Sequence, residues 1–115
     1  DVNLVEVHDA TSFCEIYQLE MLGFCEVGSG GKFVEEGHTK LGGQLPVNLS
    51  GGLVSKGHPV GATGLSMVHE VAIQLKGNAG NRQSERNKIG LAENGGGVIG
   101  FEEAACSVII LEASR

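Results

Sequence analysis

Three places along the 115-residue chain put a titratable or hydrogen-bonding side chain at the exit of a regular-looking run. His8-Asp9 follows the apolar run Asn3 to Val7, Gly57-His58-Pro59 precedes an apolar stretch from Ala62, and Glu93 follows Ile89 to Ala92. A helix N-terminus carries partial positive charge, which disfavours an imidazolium placed beside it. His58 then stays neutral and able to accept a proton, as a general base must. Gly57, Gly61 and Gly64 would let other backbone approach that helix start closely. Gly95 to Gly97, after Glu93-Asn94, would offer backbone N–H groups to a developing oxyanion. Each feature also has a plainer reading. A lone histidine before a helix is more often a cap or packing residue, and a glycine run is more often a turn. An isolated motif is weak.

Holding these residues in place requires a particular order of elements. Asn3 to Val7 reads as a strand, apolar and β-branched. Thr11 or Ser12 can cap the following helix, with Glu15 as the capping-box partner of Ser12, and Gly23 is a natural stop. Residues 26 to 46 are rich in glycine and carry Lys32, Glu35, Glu36, His38 and Lys40. They predict a long irregular excursion, either a mobile flap at a substrate entrance or a surface or interface loop. Gln44 to Leu49 reads as a short strand. Leu65, Val68, Ala72 and Leu75 recur at helical spacing, while Val71 and Ile73 spread the apolar surface further round, so a helix over 62–76 should be buried between layers. Gly77 ends it, and a polar loop runs from Asn78 to Asn87. Ile89 to Ala92 is the next strand, and Ala104 to Leu111 is the strongest, expected to be central. Strands alternating with helices predict an α/β layer, with ligands gathered at strand C-terminal ends.

Composition sets the outer bounds. The chain has 19 glycines but only 2 prolines, with 41% hydrophobic residues, which excludes collagen-like and Pro/Gly-disordered classes. Aromatics are 4%, with no tryptophan, so the core must be aliphatic. The length allows one domain at most, over residues 1–115. A net charge of −6 argues against a nucleic-acid binder. No run approaches the roughly 18 to 20 apolar residues of a membrane span, and no signal peptide is visible. Cys14, Cys25 and Cys106 are odd in number and lack metal-ligand spacing, which suits a reducing compartment. All three read as small buried hydrophobes.

Taken together, the motifs form a recognisable series. Asn48-Leu49-Ser50-Gly51-Gly52-Leu53-Val54-Ser55-Lys56-Gly57-His58-Pro59-Val60-Gly61-Ala62-Thr63-Gly64 closely resembles the GHP signature of thiolases, in its sterol-carrier-protein or lipid-transfer variant. The likeness extends to Val7-His8-Asp9-Ala10, similar to that branch's HDxF motif, and to residues 30–37 and 74–83. The resemblance implies a thiolase-like layered α/β fold. The chain would be its C-terminal half-domain, with a mixed sheet and a buried central helix. The front of that domain and the whole N-terminal half would lie outside the chain. In the family the GHP histidine activates a nucleophilic cysteine, a role that falls to His58. The first motif's polar residue helps to hold a thioester enolate, a role that falls to His8. A positioned imidazole N–H stabilises such a charge without adding a net one. The third motif is CxG, matched here by Glu93-Asn94-Gly95. Glu93 stands in place of an acid/base cysteine, and Gly95 keeps the backbone donor. A carboxylate moves protons there if burial raises its pKa toward neutrality; otherwise that step has been lost or altered. Thr11 replaces an aromatic residue and would reshape the acyl pocket.

The family's nucleophilic cysteine belongs to the N-terminal half, and none of the three cysteines here sits in its motif. Without it no acyl-enzyme forms, so this polypeptide alone should be inactive. The resemblance implies an acyltransferase for thiolytic cleavage, or Claisen condensation, of 3-oxoacyl-CoA thioesters. Two alternatives stand beside it, a retro-aldol subunit acting on steroid or other acyl-CoA and a non-catalytic binding or scaffolding subunit. Coenzyme A enters as substrate, with no permanent cofactor and no metal. The partners implied are acyl-CoA or CoA, the cysteine-bearing half, and further copies of the full-length protein in a dimer or tetramer. Lys56 reads as a solvated neighbour of His58. Arg82 and Lys88 read as a solvated charged loop in preference to a CoA phosphate site. The ending Ala113-Ser114-Arg115 lacks an S-K-L address, so a cytoplasmic location is expected.

Overall fold

A computed structural model describes residues 1–100 and 103–114. Leu4–Glu6 forms β1, Ile89–Gly96 forms β2 and Ala105–Glu112 forms β3. The sheet order is β1-β2-β3, with β1 parallel and β3 antiparallel to β2. Four helices accompany it among the described residues: α1 (Ser12–Met21), α2 (Gly30–Glu35), α3 (Gly52–Lys56) and α4 (Thr63–Leu75). The α/β layer with a mixed sheet is therefore as expected.

Alternation along the strands divides the core in two. Leu4 and Ala92 turn toward α4 and pack on Met67 and Val71. Val5, Val7 and Leu91 turn the other way, onto Leu19, Leu45 and Val47. Gly90 is small because α4 lies against it; an added Cβ would stand 2.6 Å from Val71 Cγ1. Burying the aliphatic side chains of these clusters stabilises the layer by about 1.5–3 kcal/mol each.

Several expectations change on contact with the structure. Ala104 to Leu111 is not central: β3 is an edge strand, and Val108, Ile109 and Ile110 are 48%, 42% and 61% exposed. Apolar composition marks a strand but not its place in the ladder, and β3 pairs antiparallel with β2 and with no other strand among the described residues. Gln44 to Leu49 is reduced to a single parallel bridge, Val5 with Val47. Pro46 has no N–H to continue the ladder, and Asn48 leaves the extended region at φ +50. α4 is covered on one flank only, with Leu65 76% exposed. Its buried positions include the polar Thr63, Glu70 and Gln74.

Glycine-rich residues 26 to 46 are neither a free flap nor wholly irregular. They contain α2, and Phe33, Val34, Leu45 and Val47 cover the sheet face opposite α4. The capping box at Ser12 and Glu15 does not form. Thr11 is the extended N-cap without a cap bond, and Glu15 Oε2 instead accepts from Asn48 Nδ2 at 3.2 Å. The polar loop after Gly77 is tied to α4 through Gln74, which receives Ser84 N–H at 2.8 Å and donates to Arg82 O at 2.8 Å. No helix among the described residues is long and apolar enough to cross a membrane.

Candidate active site

β1 delivers His8 two residues past its end, and α3 delivers His58 two residues past its own. The two rings meet edge to face, 5.0 Å between centroids and 82° between planes. His8 is 7% exposed, whereas His58 is exposed. Each ring is held through Nδ1. His58 Nδ1 lies 2.6 Å from Thr63 Oγ1, in the first turn of α4, and that hydroxyl donates to Pro59 O at 3.2 Å. A hydroxyl has one proton, so it accepts from His58 Nδ1–H, and Nε2 is left as the basic nitrogen.

His8 Nδ1 lies 3.2 Å from Asn94 Oδ1, on β2. With the amide oxygen there, Nδ1 carries the proton, and a neutral ring presents a bare Nε2. Donation to an oxyanion then requires the protonated ring, or an amide turned over so that Nδ2 donates to Nδ1. Asn94 thus decides what His8 offers. Beyond it a cleft of about 320 Å³ opens between α4 and the strands, lined by Val60, Gly64, Leu65, Val68, Asn94 and Ile109.

Glu93 is fully buried, and its Oε2 accepts the backbone N–H of His8 at 3.0 Å. Its other oxygen accepts from Cys106 Sγ at 3.3 Å. The carboxylate therefore braces the His8 backbone from beneath the strand. Gly95 does not stand in a loop after the strand, and neither does Gly96; both belong to β2, with Gly95 opposite Cys106, and only Gly97 leaves it at φ +71. The side of Gly95 where a Cβ would point is filled by the Glu103 carboxylate. Cys106 is exposed, contrary to expectation, and Cys14 and Cys25 are half-buried. Desolvation first, then the hydrogen bond to Glu93, pushes the Cys106 thiol up to about 11, so it is protonated and a poor nucleophile. Burial also raises the Cys25 thiol. The donor atoms of Glu93, Glu103 and Cys106 lie within 4.8 Å of one another. The Cys106–Glu93 hydrogen bond and the protonated thiol give no reason to assign a cation there.

Further groups carry this geometry without any local signal in the sequence. Asp9, 2% exposed, accepts Leu53 N–H at 2.6 Å and so anchors the first turn of α3. Asn48 Oδ1 accepts Val7 N–H at 2.8 Å. Glu6, 1% exposed, accepts Ser50 N–H at 3.1 Å and Ser50 Oγ–H at 2.5 Å. Lys56 is not simply solvated: its ammonium donates to Ser50 Oγ at 2.7 Å and stands 3.9 Å from Glu6. Arg82 is committed to Glu70 at 2.9 Å. Lys88 adjoins the start of β2, at the end of the sheet opposite His8.

The mixed three-stranded sheet with its helices defines a small α/β domain that brings two imidazoles face to edge, and sequence comparison supplies its family. Residues 1–112 match the thiolase C-terminal domain-like family. The chain belongs to that family. It is 51% identical over 100 residues to an acetyl-CoA acetyltransferase from Methanothermobacter thermautotrophicus, covering 87% of this chain and 26% of that protein. It is 46% identical over 114 residues to sterol carrier protein 2 from Bos taurus, covering 91% and 21%. Among solved structures it resembles the "Ltp2-ChsH2(DUF35) aldolase" with a TM-score of 0.82 and 26% identity, covering all of this chain and 28% of that one. The chain spans about a quarter of the length of these relatives.

Proposed function

We propose that this domain supplies the basic histidine of an enzyme that cleaves or forms the Cα–Cβ bond of an acyl-CoA thioester. The observation that carries the reading is the facing pair, one imidazole with a free Nε2 and a second set by an amide. On this reading His58 takes the proton of a nucleophilic cysteine from the remainder of the full-length protein, and later that of the attacking CoA thiol. His8, with Asn94, faces the thioester oxygen as enolate charge develops. Gly95 offers backbone on the same side. Glu93 fixes the His8 backbone and is not the proton donor. Coenzyme A and its thioesters are the ligands, the cysteine-bearing remainder is the protein partner, and full-length copies associate.

A retro-aldol reading is favoured by the likeness to a solved aldolase and by Glu93, which stands where the motif resemblance implies an acid/base cysteine. In that reaction His58 removes the proton of a β-hydroxyl, the Cα–Cβ bond breaks, and the thioester enolate is protonated. No acyl-enzyme is needed. The full-length protein should be assayed with 3-oxoacyl-CoA plus CoA, and separately with a 3-hydroxyacyl-CoA, before and after cysteine alkylation. Thiolysis lost on alkylation supports the first reading. Carbonyl product released from the hydroxy substrate by alkylated protein supports the second. If neither substrate is consumed, both readings fail.

A further inference from the structure

Glu6 is a buried carboxylate that neither reading uses. It sits on β1 two residues before His8, and its two oxygens take both donors of Ser50. Ser50 Oγ in turn accepts from Lys56 Nζ at 2.7 Å and from Gly52 N–H at 3.2 Å. Lys56 is the last residue of α3, and His58 follows it across Gly57, whose φ is +99 and whose N–H donates to Leu53 O at 3.0 Å. Asp9 holds the other end of α3 through Leu53 N–H. The two acids that flank His8 therefore grip the one segment that carries His58.

We propose that Glu6, acting through Ser50 and Lys56, is a positioning residue that sets where His58 stands against His8. The ring's own bond to Thr63 fixes its rotation at Nδ1, while its backbone departs from the end of α3 through Gly57. The relay holds the helix end from which His58 departs: the carboxylate orients the serine hydroxyl, the hydroxyl accepts from the ammonium, and the ammonium ties down the last turn of α3. The groups facing Glu6 are Ser50 and Lys56 on the α3 side, Glu70 on α4 and, more remotely, Arg82 beyond it. Of these, Ser50 and Lys56 connect it to His58. Displacing a catalytic group by about 1 Å costs on the order of 10²-fold in rate.

The test uses the full-length protein with Lys56→Met, Ser50→Ala and Ser50→Thr. Two quantities are read: kcat and KM on whichever substrate the wild type turns over, and the rate of carbethoxylation of His58 by diethyl pyrocarbonate at fixed pH, followed by peptide mass spectrometry. Lys56→Met and Ser50→Ala should lower kcat at least tenfold, on the order expected for a misplaced base, with little change in KM. They should also change the His58 labelling rate at temperatures where all variants are folded. Ser50→Thr, which keeps the hydroxyl, should restore both. Unchanged labelling and kcat in both disruptive variants would overturn the proposal. The role inferred for Glu6 rests on the catalytic reading only for its kinetic arm. A wild type inactive on both substrate classes defeats that reading, while the labelling rates still decide whether the relay holds His58.

Discussion

His58 and His8 are both histidines at element exits, yet their hydrogen bonds give them different work. His58 keeps a basic Nε2 because Thr63 Oγ1 accepts a hydrogen bond from its Nδ1–H. His58→Ala should therefore lower turnover of the full-length protein on the order of 10²- to 10⁴-fold, the contribution of a general base, with KM little altered; a steady-state comparison checks it. Asn94 acts one step removed. Asn94→Leu deletes the only side-chain hydrogen-bond partner of the His8 ring among the described residues, so both tautomers become populated. Turnover should drop about tenfold, the order of a lost orienting bond, and the His8 ring ¹⁵N shifts should move toward the averaged values of a free imidazole. Unmoved shifts would show that Asn94 does not set the tautomer. The two histidines are legible in the sequence because motif and position coincide. Asn94 and Glu6 gain meaning only through partners 86 and 44 residues away, which no local pattern announces.

At the scale of elements, α3 meets the segment that follows β1 at one close point. Gly52 has φ +63, and its missing side chain leaves room for the Asp9 carboxylate, which an added Cβ would strike. Gly52→Ala should cost about 2 kcal/mol, combining left-handed strain with a displaced Asp9, and urea unfolding would measure it. A neutral outcome would mean Asp9 moves freely and does not anchor α3. Helix ends were readable beforehand, since Gly23 and Gly77 both adopt positive φ, +76 and +72, as C-terminal stops. Helix starts were less so. The Ser12–Glu15 pattern has the right spacing for a capping box, but Glu15 is drawn to Asn48 by a tertiary contact worth more than the local one. The same competition explains residues 26 to 46. Glycine there allows close approach, as at Gly30, where a Cβ would meet Ile16 O at 2.8 Å, so a flexible composition produces a packed layer.

Across the whole molecule, two features disclose what the fold gives up for its site. The first is β3, whose exposed Val108 and Ile110 stand on an edge that carries no lysine or proline to deter pairing. The 115-residue chain expressed alone should self-associate with rising concentration. Ile110→Lys should suppress this in sedimentation, since a charge on the strand opposes edge contact; equal association in both would place the contact elsewhere. The second is Glu6. Burial, outweighing its bonds to Ser50 and the charge of Lys56, raises its pKa from 4.5 to about 7. The folded state therefore holds that proton more tightly than the unfolded chain. Its contribution to stability is fully present below about pH 4.5 and is lost as pH rises toward 7, on the order of 3 kcal/mol in all. Glu15, also raised by burial, slopes the same way, whereas Glu20, lowered by the Gly28 and Gly30 N–H groups, slopes oppositely. Glu6→Gln removes the charge while keeping an acceptor for Ser50. Chemical denaturation between pH 4.5 and 7.5 should show the wild type losing stability relative to Glu6→Gln across that window, with the variant the more stable above pH 7. Parallel profiles would mean that Glu6 is solvated in the folded protein. A variant more stable yet slower in turnover is the result the relay requires, because the ionised carboxylate that orders Ser50 and Lys56 is the form that burial penalises.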